Sequence, residues 1–354
     1  MTLDFSTPWF TEEGQVKVNG TSDGPAHQQV LRFLERWNDA SSDIEVQTSG
    51  STGTPKRFSI PKQWMEESAR RTLTQLDISP GSSALLCISP FHIGGMMMIV
   101  RALLHQMTLT VLTPSSLPMT SGNSDFTAMV PLQIQTLIKE GVNTEIYGTL
   151  IIGGAPISAA LEVLLRSRKN PVYATFGMTE TVSNIALRRL NGHDASPYFK
   201  CHPGIKISQQ KDDRLRIQIP YMNHLDLITN DLVKVIDEST FLWKGRVDGI
   251  INSGGVKLLP EVIESKLAAV LPFECFISSQ KDQVLGERVT LIIESETLPQ
   301  NVLVGINEVL SPYERPKQIF LCPEFSRTET GKIKKRTSLD GAHLVWSKEN
   351  GLIG

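Results

Sequence analysis

The chain has 354 residues, of which 40% are hydrophobic and 20% are charged. This length predicts one large domain or two, and the composition excludes a largely disordered chain. Thirty-five Lys and Arg against 37 Asp and Glu give a formal net charge of −2, so we expect no nucleic acid or anionic membrane as a partner. The cysteines, Cys87, Cys201, Cys275 and Cys322, form no C-x-x-C pair, which favours reduced thiols and a cytoplasmic protein.

Short apolar runs alternate with helix-period segments, which predicts an α/β fold of mixed or parallel sheets with helices. In chain order we predict a helix over 25–40, a strand over 84–89, a buried helix over 93–104, a strand over 109–113, a strand over 150–152, a helix over 161–168 with Ser158 as its N-cap, and a strand over 172–176. The apolar stretch 93–104 is shorter than the about 20 residues that cross a bilayer. We therefore expect no membrane span, and the first residues lack the features of a signal peptide.

After residue 184 the apolar runs become shorter and more polar, which predicts a β-rich subdomain. From residue 249 a new pattern predicts helices over 260–270 and 302–310 and strands over 275–278 and 289–293. About 105 residues suffice for a small α+β domain, and glycine-rich segments at 245–249 and 252–255 mark its start. We therefore predict a large domain over 1–248 and a small, mobile α+β domain over 249–354.

The strongest motif is TSGSTGTPK over residues 48–56. Its glycines let backbone N–H groups converge on an anion, its hydroxyls add donors, and Lys56 adds a charge worth about 4 kcal/mol at 4 Å in an intermediate dielectric. Pro55 stands where a kinase-type P-loop needs glycine. A plain surface turn is the alternative, but the terminal lysine and the helix-like segment from Pro61 favour a phosphate-binding loop. Its predicted ligand-binding residues are Thr48, Ser49, Gly50, Ser51, Thr52, Gly53 and Lys56.

This loop resembles that of the acyl-adenylate-forming, AMP-binding superfamily, which includes acyl-CoA synthetases, adenylation domains and luciferases. Further segments match the family's motifs in the same order: PFHIGG at 90–95, GGAP at 153–156, ATFGMTE at 174–180, TNDL at 229–232, GRVD at 245–248 and GK at 331–332. Seven ordered matches argue against chance. The resemblance implies an enzyme that uses ATP and Mg²⁺ to activate a carboxylic acid.

The resemblance also implies a role for each motif in binding the nucleotide. Phe176 replaces the family's usual tyrosine and would stack on adenine, while Glu180, beside Thr179, would hold Mg²⁺. Core packing is the alternative for Phe176, and solvated surface is the alternative for Glu180. Asp231 would grip the ribose and Arg246 would support the ribose and the α-phosphate; a turn residue and a surface charge are their alternatives. The other implied adenine- and ribose-site residues are Gly154, Ala155, Pro156, Thr175 and Gly177.

Three further residues have roles implied by the resemblance. Lys332 would neutralise charge on the carboxylate and the α-phosphate during adenylation, and a solvated basic tail is the alternative. Asp248 matches the hinge of the small domain. His92 would border the acyl pocket, although a lone histidine is more often a hydrogen-bonded core group. The residues that would face CoA are Gly254 and Gly255, and the residues that we expect to be solvated are Lys334, Lys335 and Arg336.

Within the superfamily, the short length, segment 252–261 and His92 most resemble the 2-succinylbenzoate–CoA ligases of menaquinone synthesis. This implies an acid–thiol ligase whose partners are a small carboxylic acid, ATP and CoA. Two alternatives stay open: a ligase for another aryl or fatty acid or one that loads a carrier protein, and a non-catalytic nucleotide-binding relative. The phosphate loop begins at residue 48, earlier than in the family, so we expect part of the first subdomain to be absent. The oligomeric state is open.

Overall fold

A computed structural model describes residues 1–9, 24–47, 57–271, 273–298, 300–328 and 332–352. The chain divides into two compact units. The first unit comprises Met1–Ala155, Arg166–Lys206 and Gln218–Asp226, and the second comprises Pro156–Leu165, Ile207–Ile217 and Leu227–Gly354. The second unit therefore includes strands that precede residue 249, and the division into domains 1–248 and 249–354 stays a prediction.

The first half of the chain contains most of the helices. Its elements are β1 (Thr2–Asp4), α1 (Pro25–Asn38), β2 (Asp43–Gln47), β3 (Arg57–Pro61), α2 (Lys62–Gln75), β4 (Ser83–Leu86), α3 (Ile93–Leu104), β5 (Thr108–Val111), β6 (Phe126–Met129), α4 (Pro131–Lys139), β7 (Thr149–Ile152), α5 (Ala159–Leu165), β8 (Val172–Gly177), β9 (Asn184–Arg189) and β10 (Phe199–Cys201). The Ser158 hydroxyl accepts a hydrogen bond from the Leu161 N–H at 3.2 Å, which confirms the predicted N-cap of α5. Strands β1, β2, β3 and β6 and helix α4 were not predicted from the sequence.

The sheet of the first unit has the strand order β1-β5-β4-β6-β7-β8-β9-β10. Strands β5, β4, β6, β7 and β8 run parallel, whereas β1, β9 and β10 run antiparallel to their neighbours. Every residue of β6 is buried, as expected for a parallel strand covered on both faces. Helix α3 connects β4 to β5 and buries Met96, Met97 and Met98. The predicted α/β fold and the buried helix are confirmed.

The second half of the chain is richer in strands. Its elements are β11 (Lys206–Gln209), β12 (Arg214–Ile219), β13 (Leu225–Asp237), β14 (Thr240–Arg246), β15 (Ile251–Ser253), β16 (Val256–Leu258), α6 (Pro260–Leu267), β17 (Cys275–Asp282), β18 (Gly286–Glu294), α7 (Val302–Val309), β19 (Gln318–Cys322), α8 (Lys335–Asp340), β20 (His343–Ser347) and β21 (Gly351–Leu352). Strands β14-β13-β12-β11 are neighbours in that order, and a second sheet has the order β16-β15-β18-β19-β20-β21 with β17 on β18. These elements confirm the predicted β-rich region and the βα pattern after it.

Successive residues of β17 and β18 point to opposite faces of the second sheet. On one face, Leu291 packs in a cluster with Ile263 of α6 and Ile306 of α7. On the other face, Phe276 packs with Phe325 in a smaller cluster. Ile333, the residue after Lys332, packs against this smaller cluster.

Within the described ranges, no helix combines the length and the apolar character needed to cross a membrane. All four cysteines are free thiols; Cys87, Cys201 and Cys322 are buried and Cys275 is half-buried.

Candidate active site

The predicted phosphate loop, residues 48–56, lies outside the described residues, and with it lie Thr48, Ser49, Gly50, Ser51, Thr52, Gly53 and Lys56. The strands on both sides of it are described. Strands β2 and β3 pair antiparallel with Gln47 opposite Arg57, so the chain enters and leaves the loop at neighbouring points. Helix α2 follows β3 at once, as the segment from Pro61 predicts. The phosphate-binding role stays a prediction.

Three predicted motifs of the first unit follow the carboxyl ends of parallel strands. PFHIGG comes after β4, GGAP begins directly after β7, and ATFGMTE runs along β8 and past its end. Carboxyl ends of parallel strands meet at one edge of a sheet, where ligands of α/β proteins bind. The fold therefore brings His92, Gly154 and Thr179 to the same edge.

Glycines allow the turns after β7 and β8 to approach other backbone and side-chain atoms. A Cβ on Gly153 would lie 2.2 Å from the Thr175 hydroxyl, and a Cβ on Gly177 would lie 2.1 Å from the Ser183 carbonyl oxygen. Gly154 has φ +82°, a conformation that only glycine adopts without cost. The spacing of glycines in both motifs thus has a steric reason.

The segment that carries Glu180 ends in a strained turn. A 3₁₀ turn covers Thr179–Thr181, and the buried Thr181 hydroxyl donates to the Ser183 carbonyl at 2.9 Å. Val182 has φ 67° and ψ −49°, and the Ser183 N–H donates to the Thr181 carbonyl at 2.8 Å. This is a γ-turn of the rare, positive-φ kind. Because β-branched residues avoid positive φ, strain is stored two residues after Glu180.

Phe176 and Glu180 are the predicted adenine and metal contacts. Phe176 is half-buried, with its ring 5.8 Å from that of Phe199, and Glu180 is exposed. The described part of the chain contains no group of three or more His, Cys, Asp or Glu that could hold a metal. Mg²⁺ is usually held by one or two carboxylates together with substrate phosphates, so a single exposed Glu180 fits this ion. Both roles stay predictions.

His92 occupies the N-cap position of α3. Its carbonyl accepts a hydrogen bond from the Met96 N–H at 3.1 Å, while its ring makes no capping hydrogen bond. The ring is half-buried and meets the Phe91 ring edge-on at 5.7 Å. His92 is therefore not a fully buried core histidine. Its role at the acyl site stays a prediction.

A buried polar cluster that the sequence analysis missed lies beside the strained turn. Arg101, on α3, is 2% exposed and donates to Asn184 Oδ1 at 2.7 Å and to Ser183 Oγ at 3.0 Å. Asn184 Nδ2 lies 2.9 Å from His202 Nε2. Burial lowers the pKa of Arg101 to about 10, and burial together with the charge of Arg101 lowers the pKa of His202 to about 3. The hydrogen bonds of Arg101 to described residues go to neutral side chains, those of Thr72, Ser183 and Asn184.

In the second unit, Asp231 and Arg246 are paired across β13 and β14. Arg246 Nη1 lies 3.8 Å from Asp231 Oδ1. The same guanidinium donates twice to Asp248, from Nε at 2.9 Å and from Nη2 at 3.1 Å. These hydrogen bonds lower the pKa of Asp248, and the charge of Lys332 adds to that effect. The structure thus brings Asp231, Arg246 and Asp248 together, with Lys332 near enough for its charge to act on Asp248.

Trp243 is a further residue of this group that the sequence analysis missed. Its indole Nε1 donates to Asp231 Oδ1 at 2.9 Å, and Asp231 is only 6% exposed. Indole has a single N–H donor and no acceptor, so this contact orients the carboxylate. The sequence feature that could have identified this residue is a tryptophan three residues before Arg246, on the strand next to Asp231.

Gly254 and Gly255 form the two-residue connection between β15 and β16, in which Ser253 pairs with Val256. Their φ angles are +58° and +82°, as the tight turn of such a hairpin requires. Both glycines are exposed. Contact with CoA stays a prediction.

Lys332 is exposed and its main chain is paired with that of Thr328. The Thr328 N–H donates to the Lys332 carbonyl at 2.9 Å, and the Lys332 N–H donates to Thr328 Oγ1 at 3.1 Å. Lys335 is exposed, as expected, but it is also paired, because its ammonium donates to Glu264 Oε1 at 3.0 Å. A basic run in sequence cannot show that a carboxylate 71 residues away lies within reach.

The predicted site residues divide between the two units. Those in the first unit are His92, Gly154, Ala155, Thr175, Phe176, Gly177, Thr179 and Glu180. Those in the second unit are Pro156, Asp231, Arg246, Asp248, Gly254, Gly255 and Lys332.

Comparison with known proteins leads to the family that the motifs predict. The AMP-binding enzyme family matches residues 46–211. The crystal structure of an acyl-CoA synthetase (AMP-forming)/AMP-acid ligase II-like protein from Dyadobacter fermentans is 34% identical with a TM-score of 0.62, and the match covers 91% of this chain and 96% of that one. The chain belongs to the AMP-binding enzymes.

Other relatives carry names that state a reaction. A 2-succinylbenzoate–CoA ligase of Listeria monocytogenes is 25% identical over 335 residues, which are 86% of this chain and 71% of the relative. The o-succinylbenzoate CoA synthetase of Bacillus subtilis, solved with its acyl-adenylate intermediate, shares the fold at 20% identity with a TM-score of 0.68, covering 86% of this chain and 70% of that one. The predicted family, fold class and enzyme class, an AMP-forming acyl-CoA ligase, are confirmed.

Proposed function

We propose that this ligase converts 2-succinylbenzoate into 2-succinylbenzoyl-CoA with ATP, Mg²⁺ and CoA. A carboxylate oxygen attacks the α-phosphorus, the bond to pyrophosphate breaks, and an acyl-adenylate forms. The CoA sulfur then attacks the acyl carbon, the bond to AMP breaks, and the thiol proton passes to solvent. When bound, Mg²⁺ neutralises phosphate charge. In the first step Asp231, Arg246 and Lys332 position the substrates and stabilise the developing charge.

The choice of 2-succinylbenzoate as the acid rests on one observation, the burial of the positively charged Arg101 side chain. One carboxylate of 2-succinylbenzoate reacts, and the other needs a cation or hydrogen-bond donors wherever it is shielded from water. Arg101 lies on α3, the helix that begins within PFHIGG, and donates to Ser183 and Asn184 just beyond the Glu180 turn. Its hydrogen-bond partners among the described residues, Thr72, Ser183 and Asn184, are all neutral. A benzoate or a fatty acid would bring no second anion to this arginine, whereas a dicarboxylate does.

A panel of acids with ATP, Mg²⁺ and CoA, read by AMP release, tests this assignment. We expect 2-succinylbenzoate to give a higher kcat/KM than benzoate or medium-chain fatty acids. Arg101→Gln should lower kcat/KM for 2-succinylbenzoate about 10- to 100-fold more than it lowers kcat/KM for benzoate, the value of hydrogen bonds to a charged group, because loss of the turn that Arg101 anchors affects both acids alike. Arg32→Gln, on the exposed surface of α1, is the matched control. A fatty acid used equally well would overturn the assignment and leave the ligase class intact.

Three cationic side chains at a largely apolar cleft in the second unit support CoA as the thiol. The cleft has a volume of about 260 Å³ and is lined by Arg315, Lys317, Lys348 and Trp346 among others, with no carboxylate among the lining residues. Arg315 is fixed by its donation to the Asn307 carbonyl at 3.0 Å. Burial lowers the pKa of Lys317, and the charges of Lys348 and Arg315 lower it further. Like charges gathered without an acid favour a polyanion, such as the phosphates of CoA.

Comparison of CoA with pantetheine, which lacks the phosphates, tests this part of the proposal. Lys317→Gln and Lys348→Gln should each raise KM for CoA about two- to fivefold, as for partly exposed ion pairs, and leave KM for pantetheine unchanged. Lys281→Gln, at the exposed end of β17, is the control. Equal effects on both thiols would place the phosphates elsewhere, and efficient acylation of a carrier protein alone would favour that alternative.

ATP–pyrophosphate exchange separates a ligase from a non-catalytic nucleotide-binding relative. We expect 2-succinylbenzoate to stimulate exchange, and Asp231→Ala to weaken the binding of ATP and AMP alike, because the ribose is common to both. AMP binding without exchange for any acid in the panel would favour the non-catalytic alternative. Unchanged AMP affinity in Asp231→Ala would refute its ribose role.

A further inference from the structure

Lys332 is part of a short pairing of main chains that we call the Lys332 ladder, formed by residues 326–328 and 332–334. The Lys334 N–H donates to the Ser326 carbonyl at 2.7 Å, Arg327 forms a β-bridge with Ile333, and Thr328 pairs with Lys332. So few main-chain bonds do not keep two strands together in water. The ladder therefore needs other contacts to hold it in place.

Arg327 supplies one anchor. Its side chain is 15% exposed, and its Nη2 forms ion pairs with Glu274 and, at 3.2 Å, with Glu294. Glu294 in turn accepts a hydrogen bond from the Phe325 N–H at 2.6 Å. The two carboxylates directly precede β17 and end β18, so one guanidinium joins the ladder to two strands of the sheet.

Lys335 supplies a second anchor at the other end of the ladder. Its ammonium donates to Glu264 Oε1 at 3.0 Å and to the Ile277 carbonyl at 3.3 Å, and it lies 5.5 Å from the Phe276 ring centroid. Glu264 Oε1 also accepts the Ile277 N–H at 2.7 Å. Both ends of the ladder are thus tied to β17 or to the residue before it.

We propose that Arg327 and Lys335 are positioning residues that hold the Lys332 ladder on β17 and so set the place of the Lys332 ammonium during adenylation. This inference rests on the proposed role of Lys332. A lysine ammonium sits at the end of a flexible four-carbon stem, so its mean position depends on the backbone beneath it. Displacement of a reacting group by about 1 Å costs about 100-fold in rate.

The first experiment separates the two half-reactions in variants of the full chain. Arg327→Gln should slow acid-dependent ATP–pyrophosphate exchange about 100-fold, while the conversion of supplied acyl-adenylate and CoA to thioester stays within about twofold. Arg327→Lys, which keeps the charge, should recover part of the exchange rate. Arg336→Gln, exposed and next to Lys335, is the control and should behave as wild type. Equal losses in both half-reactions would overturn the inference, because they would indicate a general structural role.

The second experiment asks whether the anchors act through Lys332. Arg327→Gln combined with Lys332→Ala should exchange no more slowly than Lys332→Ala alone, since an ammonium that is absent cannot be misplaced. A further multiplicative loss in the double variant would overturn the inference. Lys335→Met provides the same comparison if Arg327→Gln does not fold. Exchange at the wild-type rate in Lys332→Ala would refute the role proposed for Lys332. Exchange at the wild-type rate in Arg327→Gln, with exchange lost in Lys332→Ala, would overturn only the inference about the anchors.

Discussion

At the scale of single residues, Asp231 depends on a neighbour for its orientation. A buried carboxylate requires donors, and the Trp243 indole provides one at 2.9 Å while Arg246 remains at 3.8 Å. A carboxylate held in one orientation loses less freedom when it binds two hydroxyl groups. Trp243 is therefore expected to contribute to nucleotide affinity without touching the nucleotide.

Trp243→Phe should raise the Kd for AMP about tenfold, because it removes one hydrogen bond to a charged group, worth about 1.5–3 kcal/mol, and keeps an aromatic ring in the strand. Isothermal titration calorimetry with AMP measures this change. Trp64→Phe on α2 is the matched control and should bind AMP as the wild type does. An AMP affinity in Trp243→Phe equal to that of the wild type would show that the indole does not orient Asp231 for nucleotide binding.

Glu180→Gln should reduce Mg²⁺-dependent adenylation, since a neutral amide is a weaker ligand than a carboxylate for a hard dication. ATP–pyrophosphate exchange measured across a Mg²⁺ titration should show a higher Mg²⁺ requirement in the variant. AMP binding in the absence of Mg²⁺ should not change and serves as the control. An unchanged Mg²⁺ requirement would assign Glu180 to the solvated surface.

At the scale of elements, the turn after β8 joins strain to a buried anchor. Val182 holds a positive φ while Ser183 and Asn184 are tied to Arg101. Residues in such conformations cost about 1–3 kcal/mol and persist only where the surroundings impose them. The turn thus keeps Thr179 and Glu180 at the sheet edge at the expense of stability.

Val182→Gly and Val182→Ala provide a paired test of this strain. Both remove the buried side chain, but only glycine adopts φ 67° freely. We therefore expect Val182→Gly to be at least as stable as Val182→Ala, reversing the usual preference of about 0.5–1 kcal/mol for alanine. Thermal unfolding compares the two variants. A Tm for Val182→Ala several degrees above that for Val182→Gly would show that the turn is relaxed.

Local sequence patterns predicted some helices and strands, whereas other elements have no such pattern. Helices α1 and α3 were predicted because apolar residues recur at helical spacing or form one long run, and α5 because Ser158 suits an N-cap. Strand β6 is as short as β4, β5 and β7 but, unlike them, contains no Leu, Ile or Val that would mark it as an apolar run. Arg101, Trp243 and Arg327 were missed because their roles arise from partners that are distant in sequence, which composition and spacing cannot reveal.

At the scale of the whole molecule, buried His202 makes stability depend on pH. Its pKa is about 3 in the folded chain against 6.5 ordinarily. Below pH 6.5 the unfolded chain therefore binds a proton that the native state excludes, and the native state gains that proton only near pH 3. The contribution of His202 to stability is complete above pH 6.5 and is lost progressively as the pH falls towards 3.

We expect the free energy of unfolding to fall by up to about 1.4 kcal/mol per pH unit below pH 6.5 from this group alone. Urea unfolding between about pH 7.5 and about pH 5 measures it. Because carboxylates also titrate, the informative quantity is the slope for the wild type minus the slope for His202→Gln. Equal slopes would mean that His202 is protonated in the native state.

Asp248→Pro should impair thioester formation more than adenylation if residue 248 is a hinge, because proline fixes φ within the 3₁₀ turn Val247–Gly249. Single-turnover assays of the two half-reactions measure the difference. Asp248→Ala removes the ion pair with Arg246 but leaves φ free, so it separates the two effects. Equal impairment in Asp248→Pro and Asp248→Ala would attribute the loss to the ion pair.

The state of the four cysteines makes the chain suitable for distance measurements by fluorescence. Burial raises the pKa of Cys87 and Cys275 to about 12 and raises that of Cys322 as well, and thiolates are the species that react with maleimides. Dyes should therefore attach selectively to cysteines introduced at exposed Lys139 and Lys281, one in each compact unit. Energy transfer between the two dyes would then follow any movement of the units as ATP, acid and CoA are added in turn.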